Sequence, residues 1–414
     1  MKILLIHHRL PYPLLSGMDK VTYNLIRVLN LKHEVTLVLP VNKNTVDENI
    51  KHISNICHKF VGVPVNKPNL PGEKYSFRYW WRLFRLLFHV PLLISENYYP
   101  EMVKVVQRLC GDGKYDLVQA VSIATAEYLQ YAGTPNTAIL AHDVAFELAR
   151  TQLRFIKKPL SSLINWLNYR AFLHFESKVY LNAKYVLSLS EIDLKKIKEK
   201  LKQLQHPWHL KVPVEPNDNL LSEEAKKDPQ EANTLIFVGG LGPFFNQDAV
   251  LYFSENILPT IFNKIPSARF FIVGENPPED IKLLQRDRRI IVTGRVPDVR
   301  PYITRSAVYV APVRFGGGIK TKMIEAFSLG KAIVATPVAV SGLWDINEKA
   351  ILIRDDPIEF ADEVIRLLEN KELRCSLEVE VRKLFERSYS FEAIAPKLLS
   401  VYDEIDLISS RQKA

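Results

Sequence analysis

The stretch Ala311-Pro-Val-Arg-Phe-Gly-Gly-Gly-Ile-Lys320-Thr-Lys-Met-Ile-Glu325-Ala-Phe-Ser-Leu-Gly330-Lys-Ala-Ile-Val-Ala-Thr-Pro337 decides the reading of the whole chain. It reads as a strand ending at Ala311, a glycine loop, a helix with apolar residues on one face, and a second β-branched strand. Gly316, Gly317 and Gly318 have no side chains to block an approaching anion. A helix beginning near Ile319 would turn its free N–H groups and positive dipole end onto that loop, which makes a phosphate cradle. Lys320 and Lys322 add cations where a diphosphate would sit, and Glu325, about one turn in, is placed to accept hydrogen bonds from ribose hydroxyls. A plain turn with two solvated lysines is the competing reading. Cations at a helix N-terminus oppose the dipole by a few tenths to about 1 kcal/mol, so without an anion the placement is mildly unfavourable.

Working outward, short β-branched runs alternate with helically spaced stretches along the whole chain, the signature of parallel sheets built from βαβ units. Strands are expected at 2–7, 34–40, 59–64, 116–120, 137–141 and 185–189, then at 234–238, 268–273, 289–293, 307–311, 332–335 and 350–353. The class is α/β, with two doubly wound, Rossmann-like domains at 1–212 and 232–390. A linker at 213–231 is marked by Pro213, Pro216, Asn217-Asp-Asn219 and a charged run. The tail 391–414 should form a terminal helix packing across the domain junction.

With 414 residues, 47% hydrophobic and 24% charged, the chain can build two or three cores, and wholesale disorder is excluded. Cys57, Cys110 and Cys375 are too far apart for a metal knuckle or redox pair, which fits a reducing, cytoplasmic setting. Neither a secretory signal nor a membrane-spanning run is present. Residues 1–212 hold 29 Lys and Arg against 16 Asp and Glu, a net +13, which leaves −4 for the remainder. The basic half therefore expects an anionic partner, such as a charged glycan or the inner face of a membrane. Nucleic acid is set aside because no nucleic-acid module accompanies the charge.

Several chemistries are missing. The chain has no G-x-G-x-x-G, no P-loop, no H-E-x-x-H and no G-x-S-x-G. No two aspartates stand two apart, so the D-x-D metal triplet is absent, and Asp355-Asp356 reads as a turn. No metal ligands and no resident cofactor are expected.

The strand, glycine loop, lysines, Glu-Ala helix and Gly-Lys-x-Ile-Val-Ala-Thr together resemble family 4 glycosyltransferases of the GT-B fold, in particular the subset with G-G-G-x-K-x-K before the Glu-Ala helix. Phe237-Val-Gly-Gly240, Asn246-Gln-Asp-Ala, Pro266-x-Ala-x-Phe-x-Ile-Val-Gly274 and Val292-Thr-Gly-Arg295-Val296-Pro-Asp-Val-Arg300 follow the same subset in order. In the first half Pro11-x-Pro, Ser16-Gly17, Tyr115-Asp-Leu-Val and Ala141-His142-Asp143 are similar to its acceptor domain. The resemblance implies two domains facing a central cleft, with a nucleoside diphosphate-sugar on the C-terminal domain and a glycan or lipid-linked acceptor on the N-terminal one. It implies that Lys320, Lys322 and the glycine-loop amides bind the diphosphate and Glu325 the ribose, with Gly239, Gly240, Arg295, Val296 and Arg314 lining the donor site. His142 would orient the donor sugar, and Gly17 would lie in a flexible loop after the first strand. Where many members carry Glu, Arg and Lys, this chain has Gly317, Gly240 and, near the lysine position, Phe245 or Asn246. Transfer would be metal-independent and retaining. A non-catalytic sugar-nucleotide-binding protein and a GT-B-like epimerase are the alternatives.

The stretch Tyr75-Ser-Phe-Arg-Tyr-Trp-Trp-Arg-Leu-Phe-Arg-Leu-Leu-Phe-His89 places Arg78, Arg82 and Arg85 four and three apart among aromatics. Cations along one helical face suit an interfacial helix on anionic lipid, and a core-facing helix with a solvated basic edge suits the pattern equally.

Overall fold

The computed structural model describes residues 1–42, 45–65, 77–111, 114–155, 159–214 and 230–411. Most of the expected linker therefore lies outside the described residues, as do Tyr75, Ser76 and the side chain of Arg78. The chain forms two compact units, Met1–Pro213 with Gly317–Ile319 and Ile394–Ala414, and Val214–Gly316 with Lys320–Ala393.

The first unit is built on seven parallel strands: β1 (Lys2–Ile6), β2 (Glu34–Val41), β3 (Lys59–Pro64), β4 (Leu117–Ala120), β5 (Thr137–Ala141), β6 (Tyr185–Ser188) and β7 (His206–His209), in the order β3-β2-β1-β4-β5-β6-β7. Strands covered by helices on both faces need apolar residues at every position, which is why β1 reads Ile3-Leu-Leu-Ile6 without alternation. Leu4 and Ile6 join Met102 and Val106 in one core cluster, while Ile139 and Val186 join Phe146, Phe172 and Tyr180 in another.

Six of these strands lie where the sequence places them. The seventh, β7, is unforeseen, because His206-Pro-Trp-His209 is polar and contains proline. As an edge strand it pairs only with β6, and an edge tolerates a residue that cannot donate to the ladder.

The second unit carries six parallel strands, β8 (Glu231–Val238), β9 (Arg269–Val273), β10 (Ile290–Gly294), β11 (Ser306–Ala311), β12 (Ile333–Ala335) and β13 (Leu352–Ile353), in the order β10-β9-β8-β11-β12-β13. Asp356 does more than turn the chain. Its side chain accepts from Ile358 and Glu359 N–H as the N-cap of the helix Pro357–Glu369.

The terminal helix Phe391–Arg411 groups with the first unit from Ile394 onward. There Tyr402 donates to Gln119 Oε1 at 2.7 Å, Tyr185 meets Ser409 at 3.0 Å and Lys32 pairs with Asp403. The helix Phe77–Leu87 corrects the expectation of outward cations. Arg85 turns inward to Glu127 at 2.5 Å, between the rings of Trp81 and Tyr98, and Arg82 meets Glu96 at 3.5 Å.

Candidate functional site

In the second unit the chain winds from β8 outward to β9 and β10, then returns to place β11 on the other side of β8. The loops after β8 and β11 therefore flank the point where strand order reverses, and parallel strands bring both to the same carboxyl-terminal rim, where such sheets bind ligands. Gly239 and Gly240 follow β8, and Arg314, Gly316 and Lys320 follow β11. The close approach is specific to glycine at Gly274, where a Cβ would stand 1.9 Å from the Gly239 carbonyl. Gly316 has φ +118°, a conformation that side chains rarely adopt.

The helix after the loop is Thr321–Ser328, two residues later than the sequence suggests, with Lys320 as its N-cap residue and no side chain capping it. Its first N–H groups are those a helix leaves for an external acceptor. Lys320 is buried and its Nζ lies 3.4 Å from the Gly316 carbonyl. Lys322 Nζ donates to Asn246 Oδ1 at 2.7 Å, lies 4.4 Å from the Phe237 ring centroid, and would be 3.3 Å from a Cβ on Gly239. Burial, with the neighbouring Lys320 charge, pushes the Lys322 ammonium down to about 7. Lys322 thus stands near a second cation at a place that resists its charge, beside a rim of small residues.

Of Phe245 and Asn246, it is Asn246 whose side chain bonds to both rim segments. It is buried, donates to the Gly240 carbonyl at 2.7 Å and accepts from Lys322, so it ties the two loops together. Glu325 is also buried in the helix, and its charge adds to the burial that holds the Tyr309 hydroxyl well above the usual tyrosine range. Other expected residues lie apart. Arg314 is engaged bidentately by Asp248, at 3.0 and 2.6 Å, and stacks over Tyr252. Arg295 and Val296 follow β10, the edge strand two places from β8.

In the first unit His142 follows β5, and its Nε2–H donates to the Val121 carbonyl at 2.8 Å. Burial lowers its pKa to about 4, so the ring is neutral and Nδ1 is left as an acceptor. The following helix, Ala145–Gln152, has no cap of its own; Glu176, thirty residues on, accepts from the Ala145 and Phe146 N–H groups and from Tyr180. Burial raises this carboxyl to about 7. The one sequence signal for Glu176 is that it is the single acid in the helix Pro159–Asn182.

Gly17 departs from the expected flexible loop. It is the first residue of the helix Gly17–Leu29, fixed by a capping box between Ser16 and Asp19 that Arg9 also joins at 2.7 and 2.8 Å. Gly317 and Gly318 group with the first unit, where Gly318 N–H donates to Asp193 at 2.7 Å and a Cβ on Gly318 would stand 2.5 Å from the His142 carbonyl. Asp193 is a partner that the motif did not announce.

Residues 232–370 match the family described as glycosyl transferases group 1. The matched stretch falls almost wholly within the second unit. The match takes in both loops of the rim and the helix Thr321–Ser328. No curated protein matches the chain in sequence. Among solved structures, sucrose-phosphate synthase from Thermosynechococcus elongatus is 17% identical over 98% of this chain and 99% of its own, with a TM-score of 0.71. HepE from Anabaena, in complex with UDP and glucose, is 13% identical over 98% and 100%, with a TM-score of 0.65. WaaG, a glycosyltransferase involved in lipopolysaccharide biosynthesis, is 13% identical over 96% and 99%, with a TM-score of 0.64. At such identities the likeness is one of fold, and that fold is GT-B.

Proposed function

We propose that the chain transfers a sugar from a nucleoside diphosphate-sugar to an acceptor hydroxyl, with retention and without a metal ion, in the manner of the family 4 subset that carries G-G-G-x-K-x-K. The observation that carries this reading is Lys320 and Lys322 at the start of the helix Thr321–Ser328, which no side chain caps, with Lys320 Nζ beside Gly316 and Lys322 Nζ beside Gly239. Leaving-group departure puts negative charge on the diphosphate while positive charge grows on the anomeric carbon. Fixed cations and helix N–H groups stabilise that separation without reorganising, a contribution of about 3–4 kcal/mol for a single well-placed donor in other enzymes. Glu325 takes the ribose hydroxyls, with Gly239, Gly240, Gly316, Arg295, Val296 and Arg314 lining the donor site. His142, neutral with a free acceptor nitrogen, orients the donor sugar, and Gly17 and the amides of Gly317 and Gly318 complete the phosphate contacts. In this reading Asp193 holds the Gly318 amide until an anion replaces it.

The first unit takes the acceptor, a glycan or lipid-linked glycan, and its net positive charge brings the chain to the inner surface of an anionic membrane. Among the described residues no helix is long and apolar enough to cross one.

HepE was solved with UDP, which makes that nucleotide the first to try. The test is calorimetric titration of UDP, GDP, ADP and inorganic phosphate into wild type, Lys320→Ala and Lys322→Ala in the presence of EDTA. Selective binding of one diphosphate, weakened about 10- to 100-fold by either substitution, is expected from the loss of one charge-assisted hydrogen bond. Absence of nucleotide binding, or indifference to both substitutions, would sink the donor site. Nucleotide binding without sugar transfer to any acceptor would leave a binding protein, and release of nucleotide without an acceptor would indicate epimerase chemistry.

A further inference from the structure

With Arg85 turned inward and Arg82 paired to Glu96, the exposed side chains described on their helix are apolar. Trp80, Phe84, Leu87 and Phe88 are 59%, 56%, 64% and 64% exposed, and the spacing of four, three and one puts them on one stripe. The helix Pro159–Asn182 packs against this one, and its exposed positions continue the surface. Leu163 and Trp166 are exposed apolar residues; Arg170, His174 and Lys178 follow at spacings of four. The Arg170 guanidinium lies 5.3 Å over the Trp166 ring, and the His174 ring is 4.8 Å from that of His89. An open groove of about 510 Å³ runs between them, lined by His89, Arg170, His174 and Lys178.

The chemistry of this face is one-sided. Neither helix presents a carboxylate, since Glu176, the one acid in the two, is buried at the cap of Ala145–Gln152. Exposed aromatic and aliphatic side chains beside a cationic groove match a surface that is apolar inside and anionic at its edge. We infer that this face docks on an anionic phospholipid bilayer, with Phe84, Leu87 and Phe88 seated among the acyl chains and the groove of Arg170, His174 and Lys178 receiving a lipid phosphate. The inference deepens the membrane association proposed above, on which it rests, and it reverses the part played by the arginines of Phe77–Leu87. They hold the helix to the body of the unit, and its apolar stripe meets lipid.

The test is co-sedimentation of the full chain with vesicles of phosphatidylcholine alone or mixed with phosphatidylglycerol. Wild type should sediment with the mixed vesicles and not with phosphatidylcholine alone. A triple Phe84→Ser, Leu87→Ser, Phe88→Ser variant should partition at least about tenfold less, and so should a separate Arg170→Glu, Lys178→Glu variant, whose loss should shrink as salt is raised. Circular dichroism of both variants checks that they fold; all the substituted side chains are exposed. Failure of wild type to sediment, or equal sedimentation of wild type and both variants, would overturn the proposal. So would light scattering that shows a dimer returned to monomer by the triple substitution while vesicle binding is unchanged, because the face would then belong to a second copy. Nucleotide titration reads the donor site separately, so loss of that reading would leave this result standing.

Discussion

Lys322 holds its amine where burial opposes the charge, and that sets a measurable proton balance. In the unfolded chain the ammonium keeps its proton up to the ordinary 10.5, whereas in the folded protein burial brings this down to about 7. Between these values the unfolded chain binds the extra proton, so stability from this group rises with pH and falls as pH drops toward 7. The diphosphate of the proposed donor would reverse the preference. Nucleotide binding near pH 8 should therefore take up a proton, seen as a dependence of calorimetric enthalpy on the buffer's ionisation enthalpy, and Lys322→Met should abolish it. His142 behaves differently, since its folded pKa of about 4 lies below the ordinary 6.5. Its contribution to stability is present above pH 6.5 and is lost as pH falls toward 4. His142→Gln should therefore lessen the fall of the melting temperature over that acid window, to which buried His7, held at about 3, still contributes.

Elements follow their sequences where local pattern and burial agree. The β1 and β11 runs were legible because a strand covered on both faces must be apolar throughout. The glycine loop and its helix were legible because φ +118° at Gly316 and a helix start both need particular residues. What the sequence hid is tertiary. β7 exists only because β6 offers it an edge. Arg85 turns inward because Glu127, forty-two residues away, waits for it, and no periodicity announces such a partner. Asn246 takes its meaning from Gly240 and Lys322. Caps show the same division. Asp356 begins its own helix, so Asp356→Ala should cost about 1 kcal/mol, read from denaturant unfolding. Glu176 caps Ala145–Gln152 from a distant helix, and it is buried with three donors on it. Glu176→Ala should cost more, roughly 3 kcal/mol, because it leaves buried donors without an acceptor. Equal losses would show that the remote cap is no more than a local one.

At the scale of the molecule, the division into two units puts the terminal helix and the paired lysines of the proposed donor site in different parts of the chain. The terminal helix gives Leu398, Tyr402 and Ile405 to the first unit's interior, and Tyr402 supplies the donor for Gln119 Oε1. Removing that hydroxyl leaves a buried carbonyl oxygen without a partner, at a cost of about 1–3 kcal/mol. For a unit of this size each kcal/mol lowers the melting temperature by roughly 2–4 °C. Tyr402→Phe should therefore lower the first unit's transition by roughly 2–12 °C, with the lysines at 320 and 322 untouched. In the proposed reading the nucleotide binds chiefly through the other unit, and at a hundred times its dissociation constant it adds about 2.7 kcal/mol to the state that binds it. Differential scanning calorimetry of wild type and Tyr402→Phe, each with and without nucleotide, separates the two effects. One transition should move with the substitution and another with the ligand. A ligand that raises the transition lowered by Tyr402→Phe, with no other transition moving, would place the nucleotide on the first unit and contradict the donor site on the second.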